Sequence, residues 1–219
     1  MTEIHVVRGD NAHLYEDELD QYFRGRYQYC VLERGWKGLE RSDEIDIDQF
    51  DTKETIHLLA MQAKRVVGGI RFCPSMRGTV LADVFPHLSS SPLVRSADVY
   101  ELTRIWVAKD ARSKIPKPTV EAMITAGSIE CAVVLGMSKL WAMIEPWRIL
   151  RNQSLGWTVW PLGDAHRIDG ADVIAVEKDV SESIWRSVCQ RASVPGPILI
   201  WRGTKQPYYR LPELVPAVA

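Results

Sequence analysis

The chain has 219 residues, 46% of them hydrophobic and 25% charged, with 27 Lys and Arg set against 28 Asp and Glu. That length fits one α/β domain, and that composition excludes a disordered or collagen-like chain. A formal net charge of −1 names no partner and offers no basic face for nucleic acid.

Met1 to Asp10 alternates apolar and polar residues and lacks the basic start and apolar run of a secretory signal, so a cytoplasmic protein is expected. No stretch approaches the roughly 18 apolar residues that span a bilayer, the longest being Cys131 to Leu135. Four scattered cysteines without a CxxC pair, and five histidines without a close pair, argue against a zinc site or a disulfide scaffold. No metal is expected.

In chain order, Tyr15, Leu19, Tyr22, Phe23, Tyr27 and Cys30 recur at three and four and predict a helix over 11–30, capped by Asp10 or Asn11. A charged segment from Glu33 to Asp51 reads as a loop that carries function. Ile56 to Met61 and Arg65 to Cys73 read as a hairpin, a short helix is expected around Leu81 to Leu88, and Val99 to Val107 reads as a strand.

The second half alternates: helix Pro118 to Leu135, strand Lys139 to Ile144, helix Trp147 to Leu155, strands Trp157 to Trp160 and Val173 to Glu177, helix Ser181 to Ala192, strand Ile198 to Trp201. The prediction is a single α/β domain over 1–203 followed by an irregular tail over 204–219, where prolines stand at 207, 212 and 216.

The chemistry concentrates in the first half. Arg26 lies on the helical stripe that should face the core, one turn from both Tyr22 and Cys30, where a guanidinium requires an anion unless it snorkels to water. The loop supplies Glu44, Asp46, Asp48 and Asp51, and the strands supply Arg71, Glu101 and Arg104. Arginines and acids converging at one end of a sheet would suit a zwitterion such as an amino acid, since arginine grips a carboxylate bidentately while acids receive an ammonium. The run Asp46 to Asp51 is no calcium loop, because Asp51 stands where an EF-hand needs glycine. Glu101 and Arg104 have opposite parity on a straight strand, so either a bulge re-aims one or they do not share a cavity.

Arg26, Trp36, Asp48, Asp51, Arg71, Glu101 and Arg104, within the strings RYQYCVLERGW, DQFD, GGIRFCP and YELTRIWV, resemble the LuxI-type acyl-homoserine lactone synthases. The resemblance covers Arg24 to Val107 strongly, and the second half only by its order of elements. It implies an α/β/α sandwich of the GNAT N-acyltransferase kind with a mixed central sheet. It also implies a reaction in which S-adenosylmethionine, a substrate and not a cofactor, receives an acyl group from a thioester and then closes to a lactone, releasing methylthioadenosine. By the same resemblance Glu101 is the base, directly or through water, and Asp48 positions the amine. Arg26, Trp36, Asp48, Asp51, Arg71 and Arg104 bind S-adenosylmethionine. Where the family carries an aromatic four residues after the first arginine this chain has Cys30, so either Tyr27 or Tyr29 compensates or the wall is reshaped.

An acyl pocket is expected from Cys30, Trp106, Trp141, Ala142, Ile144 and Trp147, with the tryptophans favouring a short, branched or aromatic acyl group over a long straight one. Lys109, Arg112 and Lys114, before a helix amino terminus, are expected to meet coenzyme A phosphates or the surface of an acyl carrier protein. YELTRI and ERGW favour acyl-CoA, and a separate receptor is expected to read the product. The rivals are a GNAT-type N-acetyltransferase using acetyl-CoA, against which KDARSKIPKPTV lacks the glycine-rich pyrophosphate loop, and a non-catalytic S-adenosylmethionine-binding module.

Overall fold

A computed structural model describes residues 1–113, 115, 117–207 and 209–214. Its nine strands are β1 Thr2–Val7, β2 Ile56–Gln62, β3 Arg65–Pro74, β4 Val99–Val107, β5 Lys139–Ile144, β6 Val159–Pro161, β7 His166–Ile168, β8 Ala171–Asp179 and β9 Leu199–Ile200. They are ordered β6-β8-β5-β4-β3-β2-β1-β9, with β7 paired to β8. Only the β4–β5 and β1–β9 pairings are parallel, so the sheet is mixed. The helices are α1 Glu16–Tyr27, α2 Val120–Val134, α3 Trp147–Ser154 and α4 Glu182–Ala192.

Strand alternation decides what each face carries. Ile56, Leu58 and Ala60 of β2, with Val67, Ile70 and Phe72 of β3, join the large core beneath α2 and α4. Leu59, Met61 and Val66 turn the other way, against Tyr15 and Tyr22. Helix α2 is apolar nearly all round because it is sandwiched between the sheet and α4. Thr119 caps it by accepting from Ala122 N at 3.2 Å, and Gly136 turns the chain just past its end at φ 71°.

Three sequence expectations need correction. Helix α1 begins at Glu16 after a 3-10 turn at Ala12–Leu14, and Asn11 does not cap it. The Asn11 side chain is consumed by Val6 O at 3.0 Å and Arg202 O at 2.7 Å, which tie the first strand to the carboxy-terminal segment. Beyond Tyr27 the helix widens into a π-type turn through Glu33. Strand β7 has too few residues to carry a readable period. Of the predicted tail, the described residues form no strand or helix, and Leu211 is buried against the α2–α4 core.

Candidate active site

Three arginines and three aspartates close an alternating ring on the α1 face. Arg26 reaches Asp46 at 3.1 Å and Asp51 at 2.8 Å. Arg71 reaches Asp51 at 2.8 Å and Asp48 at 2.6 Å. Arg104 reaches Asp48 at 3.0 Å and Asp46 at 2.8 Å. The acids belong to the loop after α1, and the arginines to α1, β3 and β4. The loop is held by its own backbone, since Asp48 N donates to Asp51 Oδ2 at 3.0 Å, Phe50 N to Asp48 Oδ1 at 2.9 Å, and Asp46 N to Phe23 O at 3.2 Å.

Arg26 and Arg71 are fully buried, which three formal charges of each sign make tolerable. Burial works against both guanidiniums, yet the neighbouring carboxylates hold their pKa values above the usual range. Burial likewise opposes ionised Asp46 and Asp51, and the arginines prevail, holding both carboxyls below theirs. Tyr22 and Phe23 lie over Arg26 at 5.6 and 5.3 Å. Both rings lie about one turn before the arginine, and Cys30 one turn after it. Cys30 is buried beside the ring, and Tyr29 is occupied by Arg112 at 5.1 Å. His57, behind Asp51 at 3.8 Å, is held neutral by burial, its pKa down to about 3.

The parity conflict on β4 is resolved by a bulge. Arg71 pairs with Thr103 and Gly69 with Trp106, so Ile70 alone faces Arg104 and Ile105. Arg104 takes φ 53°, a left-handed conformation that few non-glycine residues adopt. The extra residue brings Glu101, Thr103, Arg104 and Trp106 to one face: Arg71 Nε donates to Thr103 Oγ1 at 2.9 Å, and the Trp106 ring fills the space beside Gly25, where a Cβ would lie 2.1 Å away.

Glu101 is fully buried, with Leu81 N donating to Oε1 at 3.1 Å and no partner on Oε2 among the described residues. Burial raises its pKa to about 7, against the pull of the Leu81 bond and the Arg71 charge. Asp48 and Arg104 are the ring members with some exposure, 12% and 8% of the side chain. The half-buried Trp36 lies 5.6 Å from the Arg104 guanidinium. This is the ring's mouth.

Next to it the sheet splits. β4 and β5 pair only from Val99–Lys139 to Leu102–Ala142, after which β4 continues to Val107 and β5 to Ile144 without pairing to each other. The predicted acyl-pocket residues do not line one cavity here. Trp106 packs under α1. Alternation along β5 sends Trp141 to the α1 face, with Leu81, Leu88 and Val99, but Ala142 and Ile144 to the α2 face. Trp147 is 51% exposed on α3. Sequence reasoning missed Leu81, Phe85 and Met143, which form apolar packing on the same face as Glu101.

Of the predicted carrier contacts, Lys109 is exposed on the turn after β4. Arg112 is tied to Val107 O at 2.8 Å and Glu33 at 2.7 Å. Lys114 lies outside the described residues.

Residues 10–188 match the autoinducer synthase family model. The chain belongs to the autoinducer synthase family. An isovaleryl-homoserine lactone synthase of Bradyrhizobium diazoefficiens is 32% identical over 198 residues, covering 88% of this chain and 86% of that protein. Among solved structures, a CoA-dependent acyl-homoserine lactone synthase with SAM and isopentyl-CoA is similar at a TM-score of 0.87 and 30% identity, over 94% of this chain and 95% of that one. A putative N-acetyltransferase from Lactobacillus plantarum, at 15% identity and a TM-score of 0.54 over 82% of this chain and 99% of that one, shares the fold alone. This autoinducer synthase is thus an acyl-homoserine lactone synthase, an acyltransferase built on the GNAT-like sheet that the resemblance implied. No helix among its described residues is long and apolar enough to cross a membrane.

Proposed function

We propose that the enzyme joins S-adenosylmethionine to a short or branched acyl-CoA at the ring's mouth. The observation that carries this reading is a buried carboxyl, Glu101, on the same face as Asp48 and Arg104 and next to the split between β4 and β5. The ammonium of S-adenosylmethionine is received by Asp48, the carboxylate by Arg104, and Trp36 packs over the bound molecule. Arg26, Arg71, Asp46 and Asp51 are the more deeply buried members of the ring, and their ion pairs with one another and with Asp48 and Arg104 hold these groups in place.

The thioester lies along the free edge of β4 beyond Leu102, where unpaired backbone N–H groups at the bulge donate to its amide carbonyls and stabilise the oxyanion. Lys109 and the amino end of α2 lie toward its phosphates. The acyl chain enters the packing around Met143, Phe85 and Leu81, with Trp141 as its floor.

Glu101 takes a proton from the ammonium, directly or through water, and the free amine attacks the thioester carbonyl. The tetrahedral intermediate expels the coenzyme A thiolate and leaves the amide. The methionine carboxylate then displaces methylthioadenosine from the carbon bonded to the sulfonium, closing the five-membered lactone. The C–S bonding pair leaves with the sulfur, neutralising the sulfonium to a thioether, and S-adenosylmethionine is consumed as a substrate.

The choice of acyl-CoA over an acyl carrier protein rests on the similarity to an isovaleryl-homoserine lactone synthase and to a CoA-dependent acyl-homoserine lactone synthase with SAM and isopentyl-CoA. Incubation of the purified enzyme with S-adenosylmethionine and isovaleryl-CoA should release methylthioadenosine and isovaleryl-homoserine lactone in equal amounts by mass spectrometry. Turnover only with acyl carrier protein thioesters would overturn the carrier assignment, and release of neither product would overturn the reading.

A further inference from the structure

The segment 34–38, between the π-type turn and the acidic loop, is pinned at two points on the β5–β8 side of the split sheet. Arg34 Nη2 donates to Glu145 Oε1, just past the end of β5. Lys37 N donates to Asp169 Oδ2 at 3.1 Å, in the turn between β7 and β8. Two glycines with positive φ, Gly35 at 67° and Gly38 at 77°, stand inside and at the end of this strap, where an added Cβ would meet nothing within 4 Å. Between them is Trp36, whose N–H donates to Cys30 O at 3.0 Å and whose ring lies over Arg104.

Glu145 does more than hold Arg34. Its other oxygen accepts from Arg148 Nε at 2.9 Å, and Arg148 continues to Glu121, in the first turn of α2, at 3.3 Å. One carboxylate therefore joins the strap over the ring to the helix end and strand end that flank the split.

We propose that Glu145 is a positioning residue, acting through Arg34 to keep Trp36 over the ring's mouth, and that it couples the binding of the two substrates. This rests on the placement of S-adenosylmethionine at the mouth and of the thioester in the split. A thioester filling the space between β4 and β5 bears on the end of β5, and the ion pair passes that to Trp36. Coupling of this kind is reciprocal, so each substrate must alter the affinity for the other by the same factor.

The test is calorimetric titration of S-adenosylmethionine, alone and with isopentyl-CoA, a thioether that has no carbonyl to attack. In the wild type isopentyl-CoA should tighten S-adenosylmethionine binding by about 5- to 20-fold, within the usual span of such couplings. In Glu145→Gln the enhancement should fall toward one and KM for S-adenosylmethionine should rise several-fold while kcat is largely kept. Glu145→Asp should restore part of it, and Arg34→Gln should reproduce the loss without adding to Glu145→Gln in the double variant. Wild-type coupling retained in Glu145→Gln, or additive losses, would overturn the inference while leaving the reaction assignment intact. A wild type that binds no S-adenosylmethionine would overturn both.

Discussion

The backbone N–H of Leu81 donates to Glu101 Oε1 at 3.1 Å, joining the buried carboxyl to the segment that covers it. Leu81 itself is fully buried, against Trp141 and Val99. The bond fixes one oxygen, while the other, Oε2, is buried without a hydrogen-bond partner among the described residues. A carboxyl anchored by one oxygen and unpaired at the other is suited to receiving a proton at a defined point.

Glu101→Gln should lower kcat by about 10²- to 10⁴-fold, the range of a lost general base. In the wild type, kcat/KM should rise with pH through about 7 as Glu101 loses its proton, and a release assay for methylthioadenosine across pH 5.5 to 9, values spanning that about-7 midpoint, reads it. Stability runs the opposite way. The folded carboxyl holds its proton more tightly than the unfolded one, whose pKa is about 4.3, so its stabilising contribution is present below about 4 and lost as pH rises through about 7. The amide carries no such penalty, and Glu101→Gln should melt higher than wild type at alkaline pH. A variant both active and no more stable would remove Glu101 from the role of buried base.

Arg26→Leu leaves Asp46 and Asp51 with one cation fewer in a closed interior. Removing one partner of such a buried pair costs about 3 to 5 kcal/mol, and urea unfolding should show it. Both acids have pKa values held below the ordinary range. Their contribution to stability is therefore full above the unfolded value of about 4 and is lost as pH falls through the folded values. A wild type whose stability is flat from neutral to strongly acidic pH would contradict the ring's energetics.

The ring was legible because its parts obey local rules: Arg26 on an apolar stripe and an acid-rich loop demand one another. The parity of Glu101 and Arg104 left either a bulge or separate faces, and the bulge with its position, opposite Ile70, follows from the packing of Gly69 on Tyr22 and Trp106 under Gly25, contacts between distant segments. Period two says that Trp141 and Ala142 part company, but not which face meets the reaction. Grouping them in one pocket with Trp106 and Trp147 ignored that parting. Asp10 and Asn11 looked like helix caps, and only the tertiary bonds of Asn11 show why the helix starts later.

Met143 touches the apolar groups on both sides of Phe85 and is half-buried, so it can be shortened with less damage than Trp141, whose loss would cost about 3 to 5 kcal/mol. Met143→Ala should move preference toward longer acyl groups. A hydrophobic pocket discriminates by about 10-fold or more per methylene, so the ratio of kcat/KM for octanoyl-CoA over isovaleryl-CoA should rise at least that much. An unchanged ratio would place the acyl chain elsewhere.

Lys178 is a buried cation that the reaction does not use. It lies on β8, opposite Leu140 and Val159, with its ammonium 4.2 Å from the centre of the Trp157 ring and no carboxylate in ion-pair contact among the described residues. The ring face offsets part of the lost hydration. Burial, assisted by the nearby Arg148 charge, lowers its pKa to about 7, against about 10.4 for a free lysine. Between those values the unfolded chain binds a proton that the native state does not, so wild-type stability should rise with pH from about 7 to about 10. Below about 7 both states are protonated and the burial penalty is felt in full. Lys178→Met keeps the volume and removes the charge, so it should melt higher than wild type at pH near or below about 7 and lose the alkaline rise. Thermal melts of both proteins across that range decide it: a variant less stable than wild type at neutral pH, or one that keeps the same alkaline rise, would mean that Lys178 is paired or hydrated in solution and that its charge is not what the fold works against.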